Sequence, residues 1–115
     1  GRFDTLLLLM NGIGIVGTIE NLNDCLLHFK KLLKPNGQIL LDSSDISYLY
    51  EQLEKPQSTY FGQLQYQYHY KQKKGEWFNW LYIDFETLLR HAKIIGFKCE
   101  KLLQDDNDQF LARLY

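Results

Sequence analysis

The 115-residue sequence contains little cysteine and no long hydrophobic run, and neither sign of charge is in excess. Two cysteines are too few for a disulfide framework, so we expect a reduced, cytoplasmic protein. The longest apolar run, Leu6–Met10, falls far short of the about 20 residues of a membrane helix. Nothing after Arg2 resembles a signal peptide. Thirteen Lys and Arg oppose 14 Asp and Glu, which argues against nucleic acid as a partner, and we expect no membrane partner either.

The composition predicts a globular chain of one domain at most. Of its residues, 45% are hydrophobic and 23% are charged. We therefore treat residues 1–115 as one unit, whose length suffices to bury a core. The chain enters an apolar run directly after Asp4, without a leading loop or an initiator Met. From this we expect a segment that begins inside a domain.

The amino-terminal part has the pattern of a β-α-β unit. The run Thr5–Met10 is apolar throughout, which predicts a strand buried on both faces. Residues Asn21–Lys34 carry apolar side chains at helical spacing, with Asn21 as the predicted N-cap. Pro35–Gly37 ends this helix, and Gln38–Asp42 predicts a second strand. Two strands joined in this way are expected to be parallel, with a right-handed crossover.

The later sequence predicts two more helices, a hairpin and two strands. They are, in order, a helix at Asp45–Glu54, hairpin arms at Gln63–Lys71 and Trp77–Ile83, a helix at Phe85–Ile95 between caps Asp84 and Gly96, and strands at Phe97–Leu103 and Gln109–Tyr115. The first hairpin arm alternates aromatic and polar residues, which predicts one aromatic face. The aromatic side chains of the hairpin line a substrate pocket, shape a protein interface or pack on the domain's own sheet, and packing is favoured for most of them. They are Tyr66, Tyr68, Tyr70, Trp77, Phe78, Trp80 and Tyr82.

A glycine-rich segment follows the first predicted strand. Gly12–Gly17 has the spacing G-x-G-x-x-G, which in dinucleotide-binding folds lets the backbone approach a pyrophosphate. In those folds the helix begins within the glycine turn and an acid follows about 20 residues on. Here the helical pattern begins only at Asn21, and Asp42 comes later than expected. A loop after a buried strand is therefore favoured. The alternative is a non-catalytic half-Rossmann module for binding or interaction, with NAD at Gly12–Gly17 as its candidate ligand.

Polar residues lie at the predicted carboxyl ends of both parallel strands. Asn11 follows the first strand, and Asp42 and Ser43 end the second. Ligands of open α/β sheets bind outside these ends, where a carboxylate can accept a proton from a substrate. For Asp42 a site role and a helix-capping role are equally supported, whereas Asp45 is predicted to be a cap. No His, Cys, Asp or Glu residues have a metal-ligand spacing, so no metal site is predicted.

Several segments, in this order, resemble class I S-adenosylmethionine-dependent methyltransferases. Phe3–Gly12 resembles the family's fourth-strand segment. Leu32–Leu41 resembles the helix-to-fifth-strand segment, with Asn36 in place of the first glycine of its Leu-Lys-Pro-Gly-Gly turn. Phe85–Phe97 resembles the last helix, which ends in Gly-Phe. The resemblance implies an α/β fold, a partial Rossmann-like sheet of the fourth, fifth, seventh and sixth strands, with helices and an antiparallel hairpin inserted at about residues 60–83.

The resemblance also implies a function and a set of site residues. The chain would be the carboxyl-terminal half of an enzyme that transfers a methyl group from S-adenosylmethionine to an N, O or C nucleophile. Amide and DNA-base methyltransferases often carry Asp/Asn-Pro-Pro-aromatic where this chain has Asn11-Gly12-Ile13-Gly14, so a small-molecule substrate is expected. The predicted roles are catalytic for Asn11 and Asp42, cofactor-binding for Asn11 and Gly12, and substrate-binding for Gly14, Ser43 and Tyr82.

Half a domain has consequences of its own. In this family the cofactor's glycine loop and the acid that holds the ribose belong to the first half. We therefore expect residues 1–115 alone to bind the cofactor weakly or not at all and to be inactive. The fourth strand would also lack its neighbour, which leaves an apolar edge through which two copies would pair.

Overall fold

The computed structural model describes residues 2–50, 59–67, 69–70 and 73–115. Short 3₁₀ turns occur at Gly12–Val16 and Ser47–Tyr50. The other elements are β1 (Phe3–Leu8), α1 (Ile19–Leu32), β2 (Leu33–Ser44), β3 (Gln63–Tyr66), β4 (His69–Tyr70), β5 (Lys73–Lys74), β6 (Phe78–Leu81), α2 (Phe85–Ile95), β7 (Cys99–Gln104) and β8 (Gln109–Leu114). Within the described residues, no helix is both long and apolar enough to cross a membrane.

Four strands form one mixed sheet in the order β1-β2-β8-β7. β1 and β2 are parallel, with α1 between them, whereas β8 is antiparallel to both β2 and β7. This is the predicted order of the fourth, fifth, seventh and sixth strands, and the α/β prediction is confirmed. The sheet therefore places the carboxyl ends of β1 and β2 at one edge, where their exit loops meet.

The core lies between one face of this sheet and the two helices. Alternate residues of β2 and β8 face it, because successive side chains of a strand point to opposite faces. Each large apolar side chain buried there stabilises the fold by about 1.5–3 kcal/mol. The fully buried apolar side chains of the core are Leu22 and Leu26 of α1, Ile39 and Leu41 of β2, Leu88 and Ala92 of α2, Ala112 and Leu114 of β8, and Leu81 and Ile83 of the hairpin.

The first helix begins earlier than its sequence predicts. α1 starts at Ile19 with Thr18 as the N-cap, so the prediction of Asn21 as the cap is wrong. The amide of Ile19 donates to the side-chain oxygen of Gln63 at 2.7 Å. This acceptor comes from 44 residues away and satisfies a backbone N–H that helix starts leave unpaired.

Only part of the second predicted helix, Asp45–Glu54, falls within the described residues. Its described part is the 3₁₀ turn at Ser47–Tyr50, and residues 51–58 lie outside the described residues. Asp45 accepts a hydrogen bond from the Ser47 amide at 2.9 Å, which is the capping role predicted for it.

The last helix begins and ends where predicted. Asp84 accepts a hydrogen bond from the Thr87 amide at 3.2 Å, and Gly96 ends α2 with φ of 99°. The Tyr60 hydroxyl accepts from the Asp84 amide at 2.8 Å and donates to the Asp84 carboxylate. Burial, with the adjacent Asp84, raises the pKa of Tyr60, so this hydroxyl keeps its proton and fixes the hairpin to the start of α2.

The hairpin is antiparallel, as predicted, but its aromatic face is oriented differently. β3 pairs with β6, and the shorter β4 pairs with β5. The predicted single arm to Lys71 is therefore divided, and residues 68 and 71–72 lie outside the described residues. Tyr66 and Trp77 are 38% and 64% exposed, whereas Leu81 is fully buried. Tyr66 pairs with Phe78 on the hairpin face opposite Leu81, so it points away from the core, and Trp77 is exposed just before β6.

Candidate functional site

The chain leaves β1 in an unusual backbone conformation. Met10 and Asn11 both have positive φ, 57° and 59°. For residues with a side chain, the left-handed region costs about 1–2 kcal/mol, although asparagine tolerates it better. Met10 gains nothing from burial that would offset this cost, since it is 89% exposed. Contacts elsewhere in the site must therefore hold residues 10–12, which we call the exit loop.

Asp42 supplies those contacts. Its Oδ2 accepts a hydrogen bond from the Met10 amide at 3.0 Å, and its Oδ1 accepts one from the Asn11 amide at 2.6 Å. The parallel register pairs Leu8 with Leu41, so Asp42 lies beside the residues that leave β1. Charge-assisted bonds of this kind are among the stronger hydrogen bonds in proteins.

Asn11 has a second link to β2. The hydroxyl of Ser44 donates to the Asn11 side-chain oxygen at 3.2 Å. The structure thus brings the two predicted catalytic residues, Asn11 and Asp42, into direct contact. Each carboxylate oxygen of Asp42 accepts a hydrogen bond from one backbone amide. The catalytic roles of Asn11 and Asp42 stay predictions.

A cavity of about 330 Å³ opens at this contact, at the carboxyl ends of β1 and β2. Its lining residues are Met10, Asn11, Asp42, Ser43 and Gln109. Gly12 is loosely packed on its Cβ side, because a Cβ there would meet only the Leu8 Cβ, at 3.9 Å. For Gln109 the sequence predicts a place in a strand and no site role. The pairing of Gln109 with Ser44 brings it to the site, and no local pattern indicates that register.

The exit loop favours a ligand without phosphate. Backbone N–H groups at a strand exit are the usual donors to a pyrophosphate. Here the Met10 and Asn11 amides donate to Asp42, so a phosphate would meet a carboxylate at this point. The structure offers no support for NAD at this edge.

The glycines after the loop make room for β6. Gly14 is buried, and a Cβ added there would lie 2.0 Å from the Trp80 Nε1. A Cβ on Gly17 would lie 3.3 Å from the backbone oxygen of Asn79. The G-x-G-x-x-G spacing therefore serves contact between the 3₁₀ turn and the hairpin, with Trp80 packed against Gly14.

The two remaining substrate-pocket predictions fall in different places. Ser43 is fully buried, and its hydroxyl accepts a hydrogen bond from the Ile83 amide at 3.0 Å, which joins β2 to the end of the hairpin. Tyr82 is half-buried, and its hydroxyl lies 3.1 Å from that of Tyr66. Burial, followed by this hydroxyl contact, raises the pKa of Tyr66 to about 12, so Tyr66 stays neutral at physiological pH.

Tyr82 lines a second cavity, of about 430 Å³. The other lining residues are Tyr66, Gln67, Phe78 and Trp80. Of the hairpin aromatics, only Tyr82 is predicted from the sequence as a substrate-pocket residue. The pairing of Tyr66 with Phe78 and of Leu64 with Trp80 places the added rings on one face.

Comparison with known proteins gives matches only among solved structures. No family model and no curated protein matches the chain. The structure of a SAM-dependent methyltransferase from Bacteroides fragilis, in complex with S-adenosyl-L-homocysteine, is 43% identical, with a TM-score of 0.86. This match covers 99% of the present chain and 48% of the Bacteroides chain.

Two more distant structures show the same fold. The DhpI–SAM–HEP complex is 11% identical with a TM-score of 0.70, and the match covers 99% of this chain and 50% of DhpI. The CcbJ methyltransferase from Streptomyces caelestis is 10% identical with a TM-score of 0.69, and the match covers 98% of this chain and 60% of CcbJ. The chain thus spans about half the length of the solved structures that it matches. In sequence and in strand order, it matches about half of a class I S-adenosylmethionine-dependent methyltransferase.

Proposed function

We propose that residues 1–115 form one unit, with the hairpin at about residues 60–83 inserted in it, and supply half of a methyltransferase. The enzyme would transfer a methyl group from S-adenosylmethionine to an N, O or C nucleophile of a small molecule. One observation carries the proposal: the Asp42 carboxylate holds the Met10 and Asn11 amides at the sheet edge where α/β folds bind ligands. The 43% identity to the Bacteroides methyltransferase supports the reaction class.

The exit loop is the part of the chain that would hold the cofactor. S-adenosylmethionine supplies an activated methyl group when it is bound. Asn11 would orient the cofactor, and the loose packing beside Gly12 would let the backbone approach it. Asp42 would act on the cofactor through the loop, by keeping Met10 and Asn11 in the left-handed conformation. Such a site accelerates methyl transfer by holding donor and acceptor close and in line.

The hairpin would hold the methyl acceptor. Gly14 lets Trp80 pack onto the turn that follows the exit loop, and Ser43 fixes Ile83 to β2. Both contacts join the cavity lined by Tyr82 to the cofactor side of the sheet. A small-molecule acceptor fits a cavity of about 430 Å³.

We propose that the free side of β1 is a pairing edge. In the described sheet β1 has β2 on one side only, and Leu7 is 61% exposed. In a whole domain the other half would cover this edge, and in the chain alone a second copy would pair there. A reduced, cytoplasmic setting is part of the same proposal, since Cys25 and Cys99 are both free thiols.

A chimera tests the half-site. Residues 1–115 would replace the aligned half of the Bacteroides methyltransferase, and S-adenosylhomocysteine would be titrated calorimetrically. We expect saturable binding by the chimera and weak or no binding by the 115-residue chain alone. The unmodified Bacteroides protein is the control, and circular dichroism checks folding. A folded chimera that does not bind would contradict the proposal, as would micromolar binding by the chain alone.

A further inference from the structure

The hairpin cavity is lined mainly by aromatic side chains. Four of its five lining residues are aromatic, and none of these described residues carries a charge. The rings of Tyr66 and Phe78 lie 5.9 Å apart between centroids and are inclined by 30°. Trp80 and Tyr82 are half-buried, so their rings contribute to the wall and still reach the cavity. The faces of such rings are electron-rich and attract cations.

The polar groups of the cavity point to the same preference. The hydroxyls of Tyr66 and Tyr82 lie 3.1 Å apart, so one donates to the other, and the pair keeps oxygen lone pairs and one O–H. The side-chain nitrogen of Gln67 donates to the Gly75 carbonyl at 2.9 Å. This leaves the Gln67 side-chain oxygen as a further acceptor. The described lining residues include no basic side chain.

The cavity is joined to the exit loop by two contacts. The indole of Trp80 packs against Gly14, where a Cβ would lie 2.0 Å from its Nε1. The Gly14 amide in turn donates to the Asn11 carbonyl at 2.9 Å. A group held between the rings is therefore held by the same unit that carries the exit loop.

We propose that this cavity binds the cationic nitrogen group of the methyl acceptor, so that the acceptor is a small molecule that bears an ammonium group. Its role as an acceptor site rests on the proposed function. The preference for a cation depends only on the rings of this chain. An ammonium of modest size matches both the volume and the neutral, electron-rich walls.

Two probes of equal shape separate charge from size. The chain would be titrated with choline and with its neutral carbon isostere, 3,3-dimethylbutan-1-ol, while the Trp80 indole N–H is followed by NMR. We expect choline to bind at least about fivefold more tightly than the isostere. The indole of Trp77 lies outside the cavity lining, so it should shift little and serves as an internal control. Equal binding of the two probes, or no shift of Trp80 with choline, would overturn the proposal.

Variants of Tyr66 test whether the aromatic face causes this preference. Tyr66→Leu should reduce the preference for choline to about twofold or less, whereas Tyr66→Phe, which keeps the ring, should retain most of it. Trp77→Leu is the matched control and should change neither affinity. An unaltered preference in Tyr66→Leu would overturn the proposal. Failure here with cofactor binding intact in the chimera would exclude only the ammonium acceptor, and the reverse result would exclude only the methyltransferase half-site.

Discussion

Replacing Gly14 by alanine is expected to destabilise the chain by about 1–3 kcal/mol, because the added methyl group overpacks the contact with Trp80. Its Cβ would lie 2.0 Å from the Trp80 Nε1 and 2.4 Å from the Cε2. The indole must move, and with it the cavity wall and the position of β6. Urea denaturation followed by tryptophan fluorescence measures both the lost stability and the altered surroundings of the indole.

Gly12→Ala is the matched control in the same loop. A Cβ there lies 3.9 Å from the nearest neighbour, and the backbone of Gly12 is outside the left-handed region. We expect its stability to stay within about 1 kcal/mol of the parent, or to rise slightly as the unfolded chain loses freedom. Combining Gly14→Ala with Trp80→Leu should recover part of the lost stability, because the smaller leucine leaves room for the added methyl group. Equal stability of Gly14→Ala and Gly12→Ala would show that Trp80 does not cover Gly14.

Replacing Asp42 by alanine is expected to lower the affinity of the chimera for S-adenosylhomocysteine at least about tenfold, which is about 1.4 kcal/mol. The substitution leaves the Met10 and Asn11 amides without their acceptors. The exit loop then loses the contacts that offset its left-handed backbone and relaxes away from the cofactor. Asp42→Asn keeps one acceptor oxygen but turns an amide nitrogen toward a backbone N–H, so an intermediate loss is expected. Calorimetry of the three proteins gives the ranking.

Two further variants separate the loop from the charge. Asp45→Ala removes an equal charge three positions away, where the carboxylate accepts a hydrogen bond from the Ser47 amide at 2.9 Å, and it should leave the affinity nearly unchanged. Met10→Gly in the Asp42→Ala background should restore part of the affinity, because glycine adopts positive φ without strain. An Asp42→Ala chimera with parental affinity, or one not improved by Met10→Gly, would contradict the positioning role of Asp42.

Much of the architecture follows from local sequence patterns. The apolar run before Asn11 and the helical spacing after it predict the parallel pair with its crossover helix, and the structure has both. Asp84 and Gly96 mark the ends of α2, because capping and left-handed termination depend on the residue at the position itself. The strand order came from the family resemblance, since local patterns do not indicate which strands are neighbours.

The candidate site was predictable only in outline. The carboxyl ends of two parallel strands bring Asn11 and Asp42 to one edge, and both were predicted as site residues. Their mutual hydrogen bond depends on the register of β1 against β2, which the sequence leaves open. The hydrogen bond from the Ile19 amide, at the start of α1, to the Gln63 side chain joins residues distant in sequence, and no local pattern indicates it.

The Gly12–Gly17 spacing shows the limit of motifs most clearly. The same glycines that suit a pyrophosphate also suit a tryptophan packed against the backbone. Only the position of β6 distinguishes the two, and it places Trp80 on Gly14.

The most direct test of the account is to map the backbone amides of the chimera by NMR as S-adenosylhomocysteine is added. If the exit loop held by Asp42 forms the edge of the cofactor site, the largest shifts within residues 1–115 occur at Met10, Asn11 and Gly12, with smaller ones at Gly14–Gly17. Shifts that leave residues 10–12 unchanged while other segments of the chain respond would contradict a cofactor site at the exit loop.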